Sequence, residues 1–328
     1  MKTLIYNILF FLCLGAFAAS CTDVEPLDIV VPYEKSDEYY ANLRAYKADK
    51  NHEIWFGWFG GWKANTANRV TYLQSAPDSC DILSIWGEHQ NLSEAQIKDM
   101  RFVQQVKGTR VTYTTFAHEI PEEFMSGENK DQVTEEGIQA YARSLVDIMN
   151  KYGYDGIDLD YEPGYGGSGP LVSWPGHYDN MEIFVKELGK YCGPKSGTDK
   201  LLIIDGVPYH LKEGLCDWFD YGVVQAYNSY SYRDLQNRFN NAANNGWTPE
   251  KYVFTETFEG GVGGVTHELR DGTKVLSLEG MARFLPEYKG EIVKRKGGCG
   301  TYHMENDYSS SPVYKYTNNA IRIMSEHK

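Results

Sequence analysis

The chain has 328 residues, a length that fits one or two ordinary domains or a single large barrel. Aromatic residues make up 14% of it, which is ample for a hydrophobic core and suits a carbohydrate-binding cleft. The formal net charge is -13 and the basic residues form no cluster, so the composition argues against nucleic-acid binding.

The first twenty residues have the pattern of a signal peptide. Lys2 supplies the positive charge, and residues 4–19 form an apolar stretch too short for a spanning helix with stop-transfer flanks. Three small residues, Ala-Ala-Ser, come directly before Cys21, and this order resembles the lipobox of bacterial lipoproteins. Cys21 would then be the lipidated first residue of the mature protein. Ordinary signal cleavage, which would leave Cys21 a free thiol, is the alternative.

This interpretation divides the chain into a lipoprotein signal peptide at residues 1–20, a tether at 21–36 and one folded domain at 37–328. We therefore expect a lipid anchor in the bacterial cell envelope, at the outer membrane or the cell surface. Four further cysteines allow three full disulfide pairings, and buried free thiols are an equal alternative. They are Cys80, Cys192, Cys216 and Cys299. Their spacing matches no zinc pattern, and we expect no metal.

The folded domain contains eight apolar runs rich in β-forming residues, separated by helical patterns. The runs are Glu53–Trp58, Asp81–Trp86, Arg110–Phe116, Tyr154–Glu162, Leu201–Gly206, Tyr221–Asn228, Tyr252–Phe258 and Gly298–Met304. The predicted helices are Leu92–Val106, Thr134–Tyr152, Tyr178–Tyr191, Leu278–Lys296 and Val313–Ser325. This alternation predicts an α/β fold, a single closed (β/α)8 TIM barrel. A doubly wound sheet is the alternative, but its phosphate-binding glycine pattern is missing after the first run.

The fourth run ends in three acidic residues on one face. Because side chains alternate along a strand, Asp158, Asp160 and Glu162 point the same way. Carboxyls this close raise the pKa of at least one of them, which is how a general acid stays protonated near neutral pH. A loop rich in glycine and proline follows at residues 163–170, so Glu162 lies at the strand tip, where such barrels hold their chemistry. A merely solvated strand end and a calcium site are the alternatives, and calcium favours a loop of ligands.

The segment DGIDLDYE, from Asp155 to Glu162, resembles the D-x-x-D-x-D-x-E signature of glycoside hydrolase family 18. The resemblance implies cleavage beside an N-acetylglucosamine, with the substrate's own acetamido oxygen as the nucleophile. It implies that Glu162 is the general acid and base, and that Asp160 orients the acetamido group and stabilises the cationic intermediate. Asp158 would share a hydrogen bond or proton with Asp160. Asp155 has the opposite strand parity, which indicates a structural role.

The sixth run carries a second match. Gln225 and Tyr227 share one face of it, and in the family a tyrosine of the sixth strand donates to the acetamido carbonyl. The resemblance therefore implies that Tyr227 has this role, and that Gln225 and Asn228 line the same sugar subsite.

The eighth run departs from the family pattern. Chitinases often end this strand with a tryptophan that forms the floor of the site, and alignment on Gly300 places Met304 there. Glu256, near the seventh tip, would contact a sugar hydroxyl. Three tryptophans at or just past early strand tips would either stack on sugar faces or cap the barrel: Trp58, Trp62 and Trp86.

These features favour an endo-β-N-acetylglucosaminidase acting on the chitobiose core of N-linked glycans. The segment from Glu259 to Ser277 has only the length of a hairpin, where many chitinases insert a small domain, and this suits a branched glycan. A chitinase or chitodextrinase and a non-catalytic glycan-binding barrel are the alternatives. We expect a monomer without a cofactor that binds an N-acetylglucosamine-containing glycan or glycoprotein.

Overall fold

The structure is a computed structural model that describes residues 35–327. The chain separates into two compact units, Met1–Tyr39 and Tyr40–Lys328, and only residues 35–39 of the first are described. The predicted signal peptide and Cys21 lie outside the described residues. No helix within residues 35–327 is long and apolar enough to cross a membrane.

Eight parallel strands close into a barrel, as the alternation of runs predicts. They are β1 (Ile54–Gly60), β2 (Ile82–Trp86), β3 (Arg110–Phe116), β4 (Gly156–Tyr161), β5 (Leu201–Gly206), β6 (Tyr221–Gln225), β7 (Tyr252–Thr257) and β8 (Gly298–Tyr302). Each strand pairs with its neighbour in sequence, and β1 closes the circle by pairing with β8, Ile54 opposite Gly298. The (β/α)8 prediction is confirmed.

Seven α-helices are described: α1 (Asp37–Ala48), α2 (Glu94–Phe102), α3 (Glu135–Tyr152), α4 (His177–Leu188), α5 (Tyr232–Asn244), α6 (Ser277–Arg283) and α7 (Lys315–Ser325). Their ends carry the signals that the sequence contains. The Ser93 hydroxyl accepts from the Gln96 N–H, and the Gln96 side chain accepts from the Ser93 N–H, a reciprocal capping box. Helix α3 begins after Thr134 and ends at Gly153, which adopts a φ of 66°.

Three helices differ from the sequence-based expectation, and one of them is α1 (Asp37–Ala48), where no helix is predicted. The predicted helix Leu278–Lys296 stops at Arg283, because Pro286 cannot continue it and Gly290 forms a turn between Glu287–Tyr288 and Glu291–Ile292. Helix α5 was not predicted, although it buries one apolar stripe. That stripe consists of Leu235, Phe239 and Ala242.

The hydrophobic core has two layers that follow the alternation of the strands. One lies between the strands and the helices, and the other fills the inside of the barrel. The inner layer is Ile54, Phe56, Trp58, Ile82, Ile203, Val223 and Val253. The four cysteines of the domain are all buried free thiols, which decides the question of their pairing.

A buried ion pair joins the residue before β1 to the segment that precedes β8. Lys296 Nζ lies 2.6 Å from Glu53 Oε2, both side chains are buried, and His327 Nδ1 lies 3.0 Å from Glu53 Oε1. Burial pushes the pKa of Glu53 up, but the charge of Lys296 and the contact with His327 outweigh it, so the net pKa is lowered.

We expect Lys296→Met to lower the free energy of unfolding by about 3–5 kcal/mol, because it removes the buried lysine and leaves His327 as the remaining partner of the buried Glu53 charge. Urea denaturation at pH 7 measures this. The surface pair Lys186–Glu182 is the control, and Lys186→Met should cost no more than about 0.5 kcal/mol because Lys186 is exposed and Glu182 keeps Lys212 as a partner.

Because the folded pKa of Glu53 is lowered, the stability that this pair contributes is present above pH about 4.5 and is lost as the pH falls through the folded pKa. Equal losses in the Lys296 and Lys186 variants at pH 7 would contradict the role assigned to the buried pair.

Candidate active site

The acidic face of β4 points into the mouth of the barrel. Asp158 and Asp160 are buried, with 0% and 3% of their surface exposed, and Glu162 just beyond the strand end is half-buried. The alternate side chains of β4 are fully buried among the outer core. Asp155 lies away from this group, where its carboxylate accepts from the Val111 N–H at 2.8 Å. The alternation predicted for this strand is thus present.

Neutral donors hold Asp158 in place. Its Oδ2 atom accepts from the indole N–H of Trp58 at 3.0 Å and from the hydroxyls of Ser84 at 3.0 Å and Thr114 at 2.9 Å. Burial raises the pKa of Asp158, and these hydrogen bonds oppose the rise because they favour the charged carboxylate.

A third buried carboxyl, Asp205 on β5, joins the two on β4. It lies opposite Asp160 in the register of the two strands and is 1% exposed. Its Oδ1 atom accepts from the amide of Gln225 at 3.0 Å. Burial raises the pKa of Asp205 well above its usual value, and the charges of Asp158 and Asp160 add to the rise. The pKa of Asp160 is also raised, first by burial and then by the charges of Glu162 and Asp158.

Tyr227 reaches this cluster from the segment after β6. Its ring is half-buried, and burial raises the pKa of its hydroxyl well above 10.0, with further contributions from Asp205, Asp160 and Glu162. The phenol is therefore a neutral hydrogen-bond donor at physiological pH. Asn228 is exposed, with a φ of 57°.

A glycine lets Glu162 pack closely against β5. Gly206 adopts a φ of 91°, and a side chain there would lie 3.0 Å from Glu162 Cγ and 2.5 Å from the carbonyl oxygen of Tyr161. On its other side, Glu162 raises the pKa of His118 through its charge, although burial has the larger and opposite effect on that imidazole.

Aromatic rings line the mouth from β3, past β2 and β8, to the segment after β6. The ring centroids of Trp86 and Phe116 are 5.6 Å apart, those of Trp86 and Tyr302 are 5.2 Å apart, and Tyr302 stacks on Tyr227 at 6.1 Å. Phe116 is 54% exposed. This row offers ring surface next to the carboxyl cluster.

Three of the residues expected to bind substrate do not line the mouth. Trp58 is 1% exposed and packs inside the barrel, so it has no free face for a sugar. Met304 is fully buried in the outer core, because His303 at a φ of 53° turns the chain away from the strand direction and Met304 packs against Gly57.

Glu256 is the third residue that does not line the mouth. Thr255 and Thr257 take the other face of β7, and Glu256 is fully buried on the helix side. It accepts from the backbone N–H of Asn228 at 2.8 Å and from the hydroxyl of Ser277. Glu256 therefore fixes the segment that carries Tyr227 rather than meeting a sugar.

Trp62 is also buried, and its indole N–H donates to Asp99 at 2.9 Å. It therefore has no free face for a sugar. Sequence reasoning missed Asp205 and Tyr302. Both could be found from strand parity: Asp205 shares the inward face of Leu201 and Ile203, and Tyr302 shares that of Gly300.

Three comparisons with known proteins bear on this geometry. A family model described as "Glycoside hydrolase family 18, BT1044-like" matches residues 21–323. The chain belongs to glycoside hydrolase family 18.

Family 18 relatives agree in sequence and fold. A solved protein named BT1044, in selenomethionine form, is 30% identical, with a TM-score of 0.78 over 88% of this chain and 93% of that one. Endo-beta-N-acetylglucosaminidase F2 of Elizabethkingia meningoseptica is 27% identical over 175 residues, which is 50% of this chain and about half of that protein, 47%. An endo-beta-N-acetylglucosaminidase of Cordyceps militaris, solved with fucosyl-N-acetylglucosamine-Asn, shares the fold at 19% identity and a TM-score of 0.64, over 89% of this chain and 97% of that one.

The donors to Asp158 give a testable pair of variants on β3. Thr114→Val removes one hydroxyl that donates to the buried carboxyl, and we expect a loss of about 1–3 kcal/mol in the free energy of unfolding. Thr112 lies two residues earlier on the same face, and its buried hydroxyl has no partner among the described groups. Thr112→Val should therefore be neutral or stabilising. Thermal and urea unfolding compare the two, and equal losses would contradict the importance of the Asp158 contact.

Proposed function

We propose that this family 18 protein is an endo-β-N-acetylglucosaminidase that cleaves the chitobiose core of N-linked glycans by a substrate-assisted, retaining mechanism. The observation that carries the proposal is the convergence of Asp160, Glu162 and Tyr227 at the mouth of one barrel, beside a row of aromatic rings.

In the first step, the acetamido oxygen of the bound N-acetylglucosamine attacks its own C1, and the bond from C1 to the leaving oxygen breaks. Glu162 gives its proton to that oxygen. Tyr227 donates a hydrogen bond to the acetamido oxygen and so fixes it beside C1. Asp160 faces the positive charge that develops on the oxazolinium ring and stabilises it at short range in a buried site.

In the second step, the Glu162 carboxylate takes a proton from water while the water oxygen attacks C1. The oxazolinium ring opens, and the acetamido group is restored with the original configuration at C1. Asp158 stays behind Asp160, held by its donors, and keeps that carboxyl in place.

Two features support an N-glycan over chitin. The segment between β7 and α6 adds only a hairpin, Thr266–Glu268 paired with Lys274–Leu276, which leaves that side of the mouth low enough for a branched substrate. Tyr302, rather than a tryptophan, provides ring surface at the end of β8. The relative named as endo-beta-N-acetylglucosaminidase F2 supports the same assignment.

Incubation with glycoproteins of the high-mannose, hybrid and complex classes and with chitooligosaccharides, read by mass spectrometry, tests the proposal. We expect released glycans that end in one N-acetylglucosamine and peptides that keep one N-acetylglucosamine on asparagine. Cleavage of chitooligosaccharides alone would make the protein a chitinase, and cleavage of neither would favour a glycan-binding barrel.

Glu162→Gln should lower the rate by at least about 10²-fold, since it removes the group that donates and accepts the proton. The matched control is Glu250→Gln, an exposed glutamate that precedes β7 at the opposite end of the barrel. The control should keep the wild-type rate. A Glu162 variant near full activity would refute the assignment.

The N-terminal sequence supports a lipid anchor on Cys21 and a place in the cell envelope. We expect Cys21→Ser to move the protein from the membrane fraction to the soluble fraction of cells that process lipoproteins. Ser20→Ala keeps a small residue before the cysteine and should leave the protein in membranes. Identical fractionation of the two variants would remove the lipoprotein assignment.

A further inference from the structure

The buried carboxyl of Asp205 has no place in the mechanism described above. Asp205 lies on the inward face of β5, opposite Asp160 in the strand register, and 1% of its surface is exposed. One of its oxygens accepts from Gln225, and the other, Oδ2, has no donor among the described groups.

Two other buried carboxyl oxygens on β4 also lack a hydrogen-bond donor among the described groups. They are Asp158 Oδ1 and Asp160 Oδ1, although Asp158 Oδ2 receives three hydrogen bonds. Three carboxylates that face one another can only accept, so their mutual contacts are repulsive until a proton is added. A proton on Asp205 Oδ2 converts these contacts into O–H···O hydrogen bonds.

Asp205 is the carboxyl of this group best suited to hold that proton. The groups that donate to Asp158 are neutral and favour its charged form, and Gln225 contacts only one oxygen of Asp205. The titratable groups that face Asp205 are Asp158 and Asp160 from β4 and Tyr227 from the segment after β6. Burial and these two aspartates raise the pKa of Asp205 well above its usual value.

We propose that Asp205 is a positioning residue that stays protonated and donates a hydrogen bond to the aspartates of β4, so that Asp160 is oriented and anionic when the oxazolinium forms. The role rests on the proposed function, because it acts through Asp160. Without this donor, Asp160 would face the buried Asp158 and the half-buried Glu162 with no hydrogen bond to favour its charged form, and its pKa would rise. The reaction would then need a higher pH to bring Asp160 into its active state.

Two variants separate a donor from a titrating acid. Asp205→Asn keeps an N–H donor toward β4 and an oxygen for Gln225, and we expect kcat to fall only a few-fold with the acidic limb of the pH–kcat profile unmoved. Asp205→Ala removes the donor, and we expect kcat to fall by about 10- to 100-fold, the usual effect of losing a hydrogen bond to a charged group. Its acidic limb should move to higher pH.

Infrared spectroscopy tests the proton without any substrate. At pH 7 the wild-type protein should show the carbonyl band of a buried protonated carboxyl, and this band should be missing from Asp205→Asn. If Asp205→Ala does not fold, the pH–kcat profile of Asp205→Asn and the infrared spectra still test whether Asp205 holds the proton.

A loss of activity in Asp205→Asn as large as in Asp205→Ala, an unmoved acidic limb in folded Asp205→Ala, or an infrared band common to wild type and Asp205→Asn would overturn the proposal. Failure of the wild-type protein to cleave any glycan would instead overturn the proposed function and leave the infrared result valid on its own.

Discussion

The mouth of the barrel depends on burying three carboxyl groups where water cannot solvate them. Burial alone would raise the pKa of each carboxyl. If all three were charged, their mutual repulsion would destabilise the packing of β4 against β5. The barrel resolves this with neutral donors on β1, β2 and β3, which favour charge on Asp158, and with an amide on β6, which contacts Asp205. The charge pattern of the site is therefore built from six strands, with donors on β1, β2, β3 and β6 and acids on β4 and β5.

This dependence explains the mixed composition of the barrel interior. The layer nearest the amino ends of the strands is apolar, and the layer above it holds the acids and their donors. Trp58 belongs to both layers, since its ring packs among apolar side chains and its N–H reaches Asp158. The large ring of Trp58 suggests sugar stacking in the sequence, but in the structure the ring is buried and its indole N–H donates to Asp158.

The sequence predicts most of the fold because its signals are local. Alternation along β4 places the acids on one face, and the helix caps at Ser93 and Thr134 mark two helix starts. The signals fail where the path of the chain changes direction. His303 adopts a left-handed conformation after β8, and Met304 therefore packs in the outer core instead of the site. The pattern of apolar residues in the sequence does not predict a left-handed conformation at a histidine.

The partners of the acids are less predictable than the acids. Asp205 becomes significant only once β5 is placed beside β4, since a single aspartate at the end of an apolar strand is also typical of a solvated strand tip. Glu256 fails for the opposite reason: its type suggested sugar binding, but strand parity places it on the helix side of β7.

The contacts of Glu256 have a consequence for how such a protein can diversify. Glu256 and Ser277 tie the chain behind Tyr227, and Ser277 also closes the base of the hairpin by exchanging hydrogen bonds with Val265 in both directions. The first strand of the hairpin is also attached to the segment after β6, because His267 contacts the Ser229 carbonyl and the Glu268 N–H donates to the Tyr230 carbonyl. Only the turn at residues 269–273 lies beyond these contacts, so its length and composition can change while the segment that carries Tyr227 keeps its place.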